Sequence, residues 1–143
     1  MPRIEEPIRH LEEMKEDLMK VYREVASKYD CRNNQEAFKL CIEHAAPRFY
    51  VDPRHAHQLI SPLFYGDRSK IDSLPPLRRE MYESLFETVM RLKQKSAYWD
   101  KSLMYVLRFA VLEPAPRFYI STIRMGQIWR EKTRRKRKEE NVS

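Results

Sequence analysis

The chain carries its densest chemistry in a run of cations toward its C-terminus. Arg134, Arg135, Lys136, Arg137 and Lys138 are consecutive, and Arg124, Gln127, Arg130 and Lys132 lead into them. Adjacent cations of this kind are not buried, because unpaired charge in an apolar interior carries a large desolvation cost. They face water or a polyanion. If they neutralise phosphates of duplex DNA, log affinity falls with log salt at about 0.9 per contact. Arg124, Gln127, Arg130 and Arg134 recur at three-or-four spacing and so share one helix face. Arg and Gln are the side chains that read guanine and adenine edges. These residues, with Arg117 and Lys132 beside them, predict a small nucleic-acid-binding protein, for DNA rather than RNA, in a regulatory or mobile-element role. The competing reading of the run is a solvated, frayed helix end.

Other candidate chemistry is thinner. Arg48-Phe49-Tyr50 and Arg117-Phe118-Tyr119 place aromatics beside arginine, a combination that stacks on unpaired bases. The same element also suits docking of a helix, with the rings as anchors and the arginine on helix-end carbonyls or an acid. The docking reading is the stronger one. Cys41 and His44 share a helix face, but His55 and His57 point to different sides, and a structural zinc site has tighter paired ligands. No metal and no cofactor is expected. Two glycines leave no phosphate-cradling loop. Neither Gly-x-Ser-x-Gly nor His-Glu-x-x-His occurs. The chain is therefore expected not to be an enzyme and to have no small-molecule substrate.

Composition sets the frame for these residues. The net charge is +7 over 143 residues. Residues 122–140 hold all eight cations from Arg124 to Lys138 against only Glu131, Glu139 and Glu140, so the rest of the chain is close to neutral. Cys31 and Cys41 do not make a disulfide framework. No stretch approaches the roughly 20 apolar residues of a membrane span, and the first residues lack the apolar core of a signal peptide. The expected setting is cytoplasmic, or inside a phage particle or infected cell, with no membrane partner.

The elements that must position these residues come from an internal repeat. Ala46-Pro47-Arg48-Phe49-Tyr50-Val51-Asp52 recurs as Ala115-Pro116-Arg117-Phe118-Tyr119-Ile120-Ser121, an offset of 69. Five identities in a row have odds of roughly one in a few million per pair of positions. Further upstream the offset is 67, where Glu13-Met14-Lys15-Glu16-Asp17-Leu18 lies over Glu80-Met81-Tyr82-Glu83-Ser84-Leu85. The pattern predicts an all-α fold of two tandem three-helix units that share one core, with a short extended pairing at the two Arg-Phe-Tyr segments. Residues 1–143 form a single domain on this reading. The first unit spans 4–65, a linker 66–75, the second unit 76–133 and a basic tail 134–143.

Within each unit, apolar periodicity and caps locate the helices. The first helices cover about Glu5–Tyr29 and Pro76–Lys95, and the second about Asn34–Ala45 and Asp100–Leu112, with Asn33 or Asn34 and Asp100 as N-caps. Pro47 and Pro116 force the preceding residue out of helical geometry. Asp52 and Ser121 cap the third helices, the last of which runs into the basic tail. Ile123, Ile128 and Trp129 are expected to face the core. The second and third helices of the second unit suggest a helix–turn–helix, although the interval Glu113–Ile120 exceeds the usual 3–4-residue turn.

With Ala46–Val51, Arg79-Glu80-Met81 and Ala115–Ile120 in place, the chain resembles a family of small, basic bacterial and phage-type proteins with two Pro-Arg-aromatic-aromatic segments. The resemblance covers most of the chain. It implies the two-unit architecture and a mobile-element or phage setting, and it transfers no activity and no site residue. The alternative function is a non-enzymatic helical adaptor or assembly protein. Its apolar seams (Tyr82, Phe86, Tyr98, Trp99, Tyr105) would meet a protein partner or a second copy of the chain. The near-neutral body favours that alternative, because a DNA reader usually carries a broader basic face.

Overall fold

The computed structural model describes the backbone of residues 5–142 and the side chains of residues 9–134. Among the described residues the fold is all-α, and its one extended pairing is an isolated bridge. Helix α1 (Glu5–Lys28) buries Leu18, Val21 and Val25, spaced three and four apart. Helix α2 (Asn34–Glu43) starts at Asn33, whose side chain accepts from the Glu36 amide, while Glu36 reaches back to the Arg32 amide at 2.7 Å. Helix α3 (Pro53–Ile60) is capped by Asp52, with proline in the first turn where no amide is needed. It tightens into a 3₁₀ turn, Ser61–Tyr65, closed by Gly66 at φ 79°, a left-handed conformation that favours glycine.

Helix α4 (Ser69–Asp72) lies inside the stretch expected as a linker. Ile71 there is fully buried, and Arg68 pairs with Asp72 at 3.3 Å and with Glu83 at 3.0 Å, so the segment is packed rather than loose. Helix α5 (Pro76–Lys93) buries Tyr82, Leu85, Val89 and Leu92. Helix α6 (Leu103–Ala110) is shorter than expected. Its cap is Ser102, whose hydroxyl accepts from the Tyr105 amide, and Asp100 sits in the preceding turns. Helix α7 (Thr122–Val142) starts after Ser121, which accepts from the Arg124 amide at 3.1 Å.

The packing exchanges the third helices. Helix α1 packs on α2, and α5 packs on α6. Helix α2 then packs on α7, however, and α6 packs on α3. Each half thus receives the other half's third helix, so the units are interleaved rather than stacked in tandem. The crossing is fixed by backbone hydrogen bonds. Ala46 and Ala115 exchange both amide bonds at 2.9 Å. The Phe49 amide donates to the Val111 carbonyl at 2.9 Å, and the Phe118 amide donates to the Ile42 carbonyl at 3.0 Å. Each donor and acceptor is the 69-offset counterpart of the other. The carbonyls left open where α2 and α6 stop are therefore closed by the opposite half. The expected extended pairing exists, but it falls on the two alanines rather than on Arg-Phe-Tyr.

Phe49 and Phe118 follow the bridge into the core, each 1% exposed. Phe49→Ala and Phe118→Ala are each expected to lower stability by about 3–5 kcal/mol, and by similar amounts. Denaturant unfolding monitored by circular dichroism checks both values. A cost below about 1 kcal/mol for either would contradict the crossing as the structural centre.

The two thiols are free. Cys41 is fully buried, and burial, with Cys31 nearby, pushes its pKa up to about 11. Native protein at pH 8 is expected to react quickly with a disulfide reagent at Cys31, which is half-buried, and at Cys41 only after unfolding. Two fast equivalents would refute this.

Candidate functional site

Helix α7 has two faces, and Gly126 lies on the one that docks on α2. A Cβ there would come into contact with the Phe38 ring at 3.4 Å, which places this turn of α7 directly over α2. Met125 and Ile128 are fully buried on that side. Trp129 packs between Phe38 and Tyr22, with ring centroids 5.8 and 6.0 Å away. Ile123, expected in the core, is 74% exposed, because the docking face runs through Met125, Ile128 and Trp129. The outer stripe is Ile123, Gln127, Arg130 and Arg134, all exposed. Arg130 and Arg134 make no ion pair with the described residues. Arg124 is half-buried and donates to the Gln127 side-chain oxygen at 3.3 Å, holding that amide in place.

Lys132 does not join the stripe. It points to α1 and pairs with Glu12 at 3.4 Å. Lys15, 7% exposed, bridges Glu131 at 3.2 Å and Glu12 at 3.6 Å. Desolvation works to raise the Glu12 pKa, but Lys132 and then Lys15 outweigh it and hold the carboxyl below its usual range. This clamp runs α7 antiparallel to α1 and neutralises a cation expected to contact phosphate. The side chains of Arg135, Lys136, Arg137 and Lys138 lie outside the described residues. The helix–turn–helix expectation is overturned as well. Helices α6 and α7 do not pack as a pair, since α7 crosses to α2 after the Ala115 bridge.

The two Arg-Phe-Tyr segments serve different ends. Arg48 donates to the Phe49 carbonyl and pairs with Glu13 at 3.1 Å. Tyr50 donates to Asp17, and burial, reinforced by that bond, pushes its phenol above the usual range. Arg117 makes the matching bond to the Phe118 carbonyl at 3.2 Å and lies over the Tyr119 ring at 5.9 Å. No carboxylate among the described residues pairs with it. The 67-offset counterpart of Asp17 is Ser84, so Tyr119 lacks the acid that holds Tyr50, whereas Glu80 stands at the Glu13 position and makes no ion pair with Arg117. Arg117 lines a cavity rather than the α7 stripe, so it is not a neighbour of Arg130 and Arg134.

One feature escaped the sequence pattern, and a second was read from it only in part. The first is that cavity, 590 Å³, lined by both Arg-Phe-Tyr segments together with α1 and α5. The second is an aromatic surface at α6 and the turns before it, where the expected seam held Tyr98, Trp99 and Tyr105 and omitted Phe109 and Leu112. Tyr98, Tyr105 and Phe109 lie 5.2–6.4 Å apart, beside Trp99 at 66% and Leu112 at 57% exposure. Its signal was present in the sequence: α6 is apolar on nearly all sides, and more of it than the core can take must face out. Of the expected adaptor seam, Tyr82 is buried, Phe86 packs edge-on against Phe64 at 5.2 Å and Tyr98 is half-buried against the core, which leaves Trp99 and Tyr105 exposed. Among the described residues no helix is long and apolar enough to cross a membrane, and no three His, Cys, Asp or Glu converge as metal ligands. Comparison with family models, with curated proteins and with solved structures returns no match.

The clamp has a pH signature. A carboxyl with a depressed folded pKa contributes stability above its unfolded pKa, and that contribution is lost as pH falls through the folded value. Glu12→Gln removes the carboxyl, so the melting-temperature difference between wild type and variant is expected to shrink from pH 7 toward pH 3. A difference independent of pH would rule out the clamp.

Proposed function

We propose that the chain binds nucleic acid, duplex DNA rather than RNA, through the outer stripe of α7, and does so in the cytoplasm or an infected cell. The observation that carries this is the pair Arg130 and Arg134, exposed, four residues apart and without an acid partner among the described residues. Gln127, steadied by Arg124, stands one turn before them. A helix of 21 residues is about 30 Å long, enough to follow several phosphates along a groove. In sequence the stripe continues into Arg135–Lys138. The contact set is narrower than the full list of cations, because Lys132 is occupied by Glu12 and Arg117 lies elsewhere. The two halves are also proposed to descend from one duplicated unit, a reading supported by the matched backbone bonds at the crossing.

The α6 surface favours a second reading. Trp99, Tyr105, Phe109 and Leu112 form an exposed apolar face, and such faces mark protein contacts. On this reading the chain is a helical adaptor, and the cations of α7 touch acidic surfaces only incidentally.

Binding to a mixed-sequence duplex across a salt series separates the two. Wild type is expected to bind steeply with salt. In Arg130→Ala/Arg134→Ala the log–log slope is expected to fall by about 1.8, at about 0.9 per lost phosphate contact. An unchanged slope, or no wild-type binding at low salt, overturns the nucleic-acid reading and leaves the adaptor.

A further inference from the structure

We propose that the cavity at the crossing of the two halves is a binding site for a small aromatic carboxylate. This inference does not depend on nucleic-acid binding. At 590 Å³ the cavity lies within the usual range for small-molecule sites, about 300–1,000 Å³. Its walls are apolar and aromatic, from Phe49, Phe118, Met14 and Met81. The Tyr50 and Phe118 rings lie nearly parallel, 12° apart with centroids at 6.0 Å, a surface suited to a flat ring.

The charged groups that line the cavity are unevenly balanced, three arginines against the single carboxylate of Asp52. Arg48 is neutralised by Glu13, and the Asp52 carboxylate caps α3. Arg78 and Arg117 also line the cavity, and neither pairs with a carboxylate among the described residues. Arg117 uses only its Nε, on the Phe118 carbonyl, which leaves its two terminal nitrogens for a carboxylate. Independently, Tyr82 lines the cavity, is 1% exposed, and its hydroxyl makes no hydrogen bond to any described residue. With no bond to a described residue, that hydroxyl is free to donate to a ligand in the cavity it lines. Burial raises the Tyr82 phenol, against the opposing effect of Arg78, so it remains a neutral donor. Two arginines, a phenolic donor and flat apolar walls together fit an anion carried on an aromatic body.

The test uses the full chain with two probes of equal shape, 2-naphthoate and 2-naphthamide, by isothermal titration. Wild type is expected to bind naphthoate saturably, one per chain, and naphthamide about tenfold or more weaker, since a hydrogen bond to a charged group is worth that much. Arg117→Gln is expected to erase the difference between the probes. Tyr82→Phe is expected to weaken naphthoate several-fold with an unchanged melting temperature. Trp99→Ala, on the separate α6 surface, is expected to change nothing. The proposal is overturned by an absence of saturable naphthoate binding up to about 2 mM. Equal affinity of wild type for both probes, or loss of binding in Trp99→Ala, overturns it too. If Arg117→Gln does not fold, the wild-type ratio of the two probes and the Tyr82→Phe result decide.

Discussion

Helices α2 and α6 both stop before a proline, and both stop inside the molecule. Their last carbonyls are buried and need donors, because an unmet backbone acceptor in the interior costs about as much as a lost hydrogen bond. Each half supplies the donors for the other, through the Phe49 and Phe118 amides and the paired alanines. This reciprocal closure is what the rest depends on. It draws the two Pro-Arg-Phe-Tyr segments side by side, seats both phenylalanines in one core, and sends each third helix across to the opposite half. A half taken alone would keep its open carbonyls and lose the helix that covers α2 or α6. A single core of this kind also suits the size of the halves, since units of about 70 residues are marginal by themselves.

Three described cations of α7, Lys132, Arg130 and Arg134, differ in what lies opposite them. Lys132 lies over α1, where Glu12 and the buried Lys15 complete a clamp. Ion pairs with half-exposed partners contribute little net stability, so the clamp acts mainly by fixing the direction of α7 along α1. Arg130 and Arg134 lie on the opposite side of the helix, where the described residues offer no carboxylate. Among the described residues these two arginines have no carboxylate partner, and the near-neutral body keeps the field near them local rather than spread across a face.

Near-symmetry in the backbone coexists with asymmetry in the chemistry. Arg48 and Arg117 make the same bond to the following carbonyl and lie over the same ring type. What surrounds them differs. Glu13 engages Arg48 and Asp17 engages Tyr50, whereas Glu80 makes no ion pair with Arg117 and Ser84 offers Tyr119 no charge. Lys15 has Tyr82 as its counterpart, so a buried lysine paired with half-exposed carboxylates on one side becomes a phenol with no bond to a described residue on the other. The first half thus locks its segment into structure, and the second leaves cation and phenol facing the cavity.

The all-α class, most helix starts and the special standing of the two Ala-Pro-Arg-Phe-Tyr segments were determined by the sequence alone. Those features rest on local physics: three-and-four periodicity, capping by Asn33, Asp52 and Ser121, and the steric veto of proline on the residue before it. Asp100 was misread as a cap because Ser102, two residues on, competes for the same role, and such contests turn on turn geometry. Partner choice between helices lay beyond the sequence, because α2 has the same apolar face whether it meets α3 or α7. Only the tertiary structure decided the exchange, and with it the outward turn of Ile123, the neutralisation of Lys132 and the removal of Arg117 to a cavity. Each of these depends on which distant residue stands opposite, and sequence spacing carries no such information once the chain leaves a single helix.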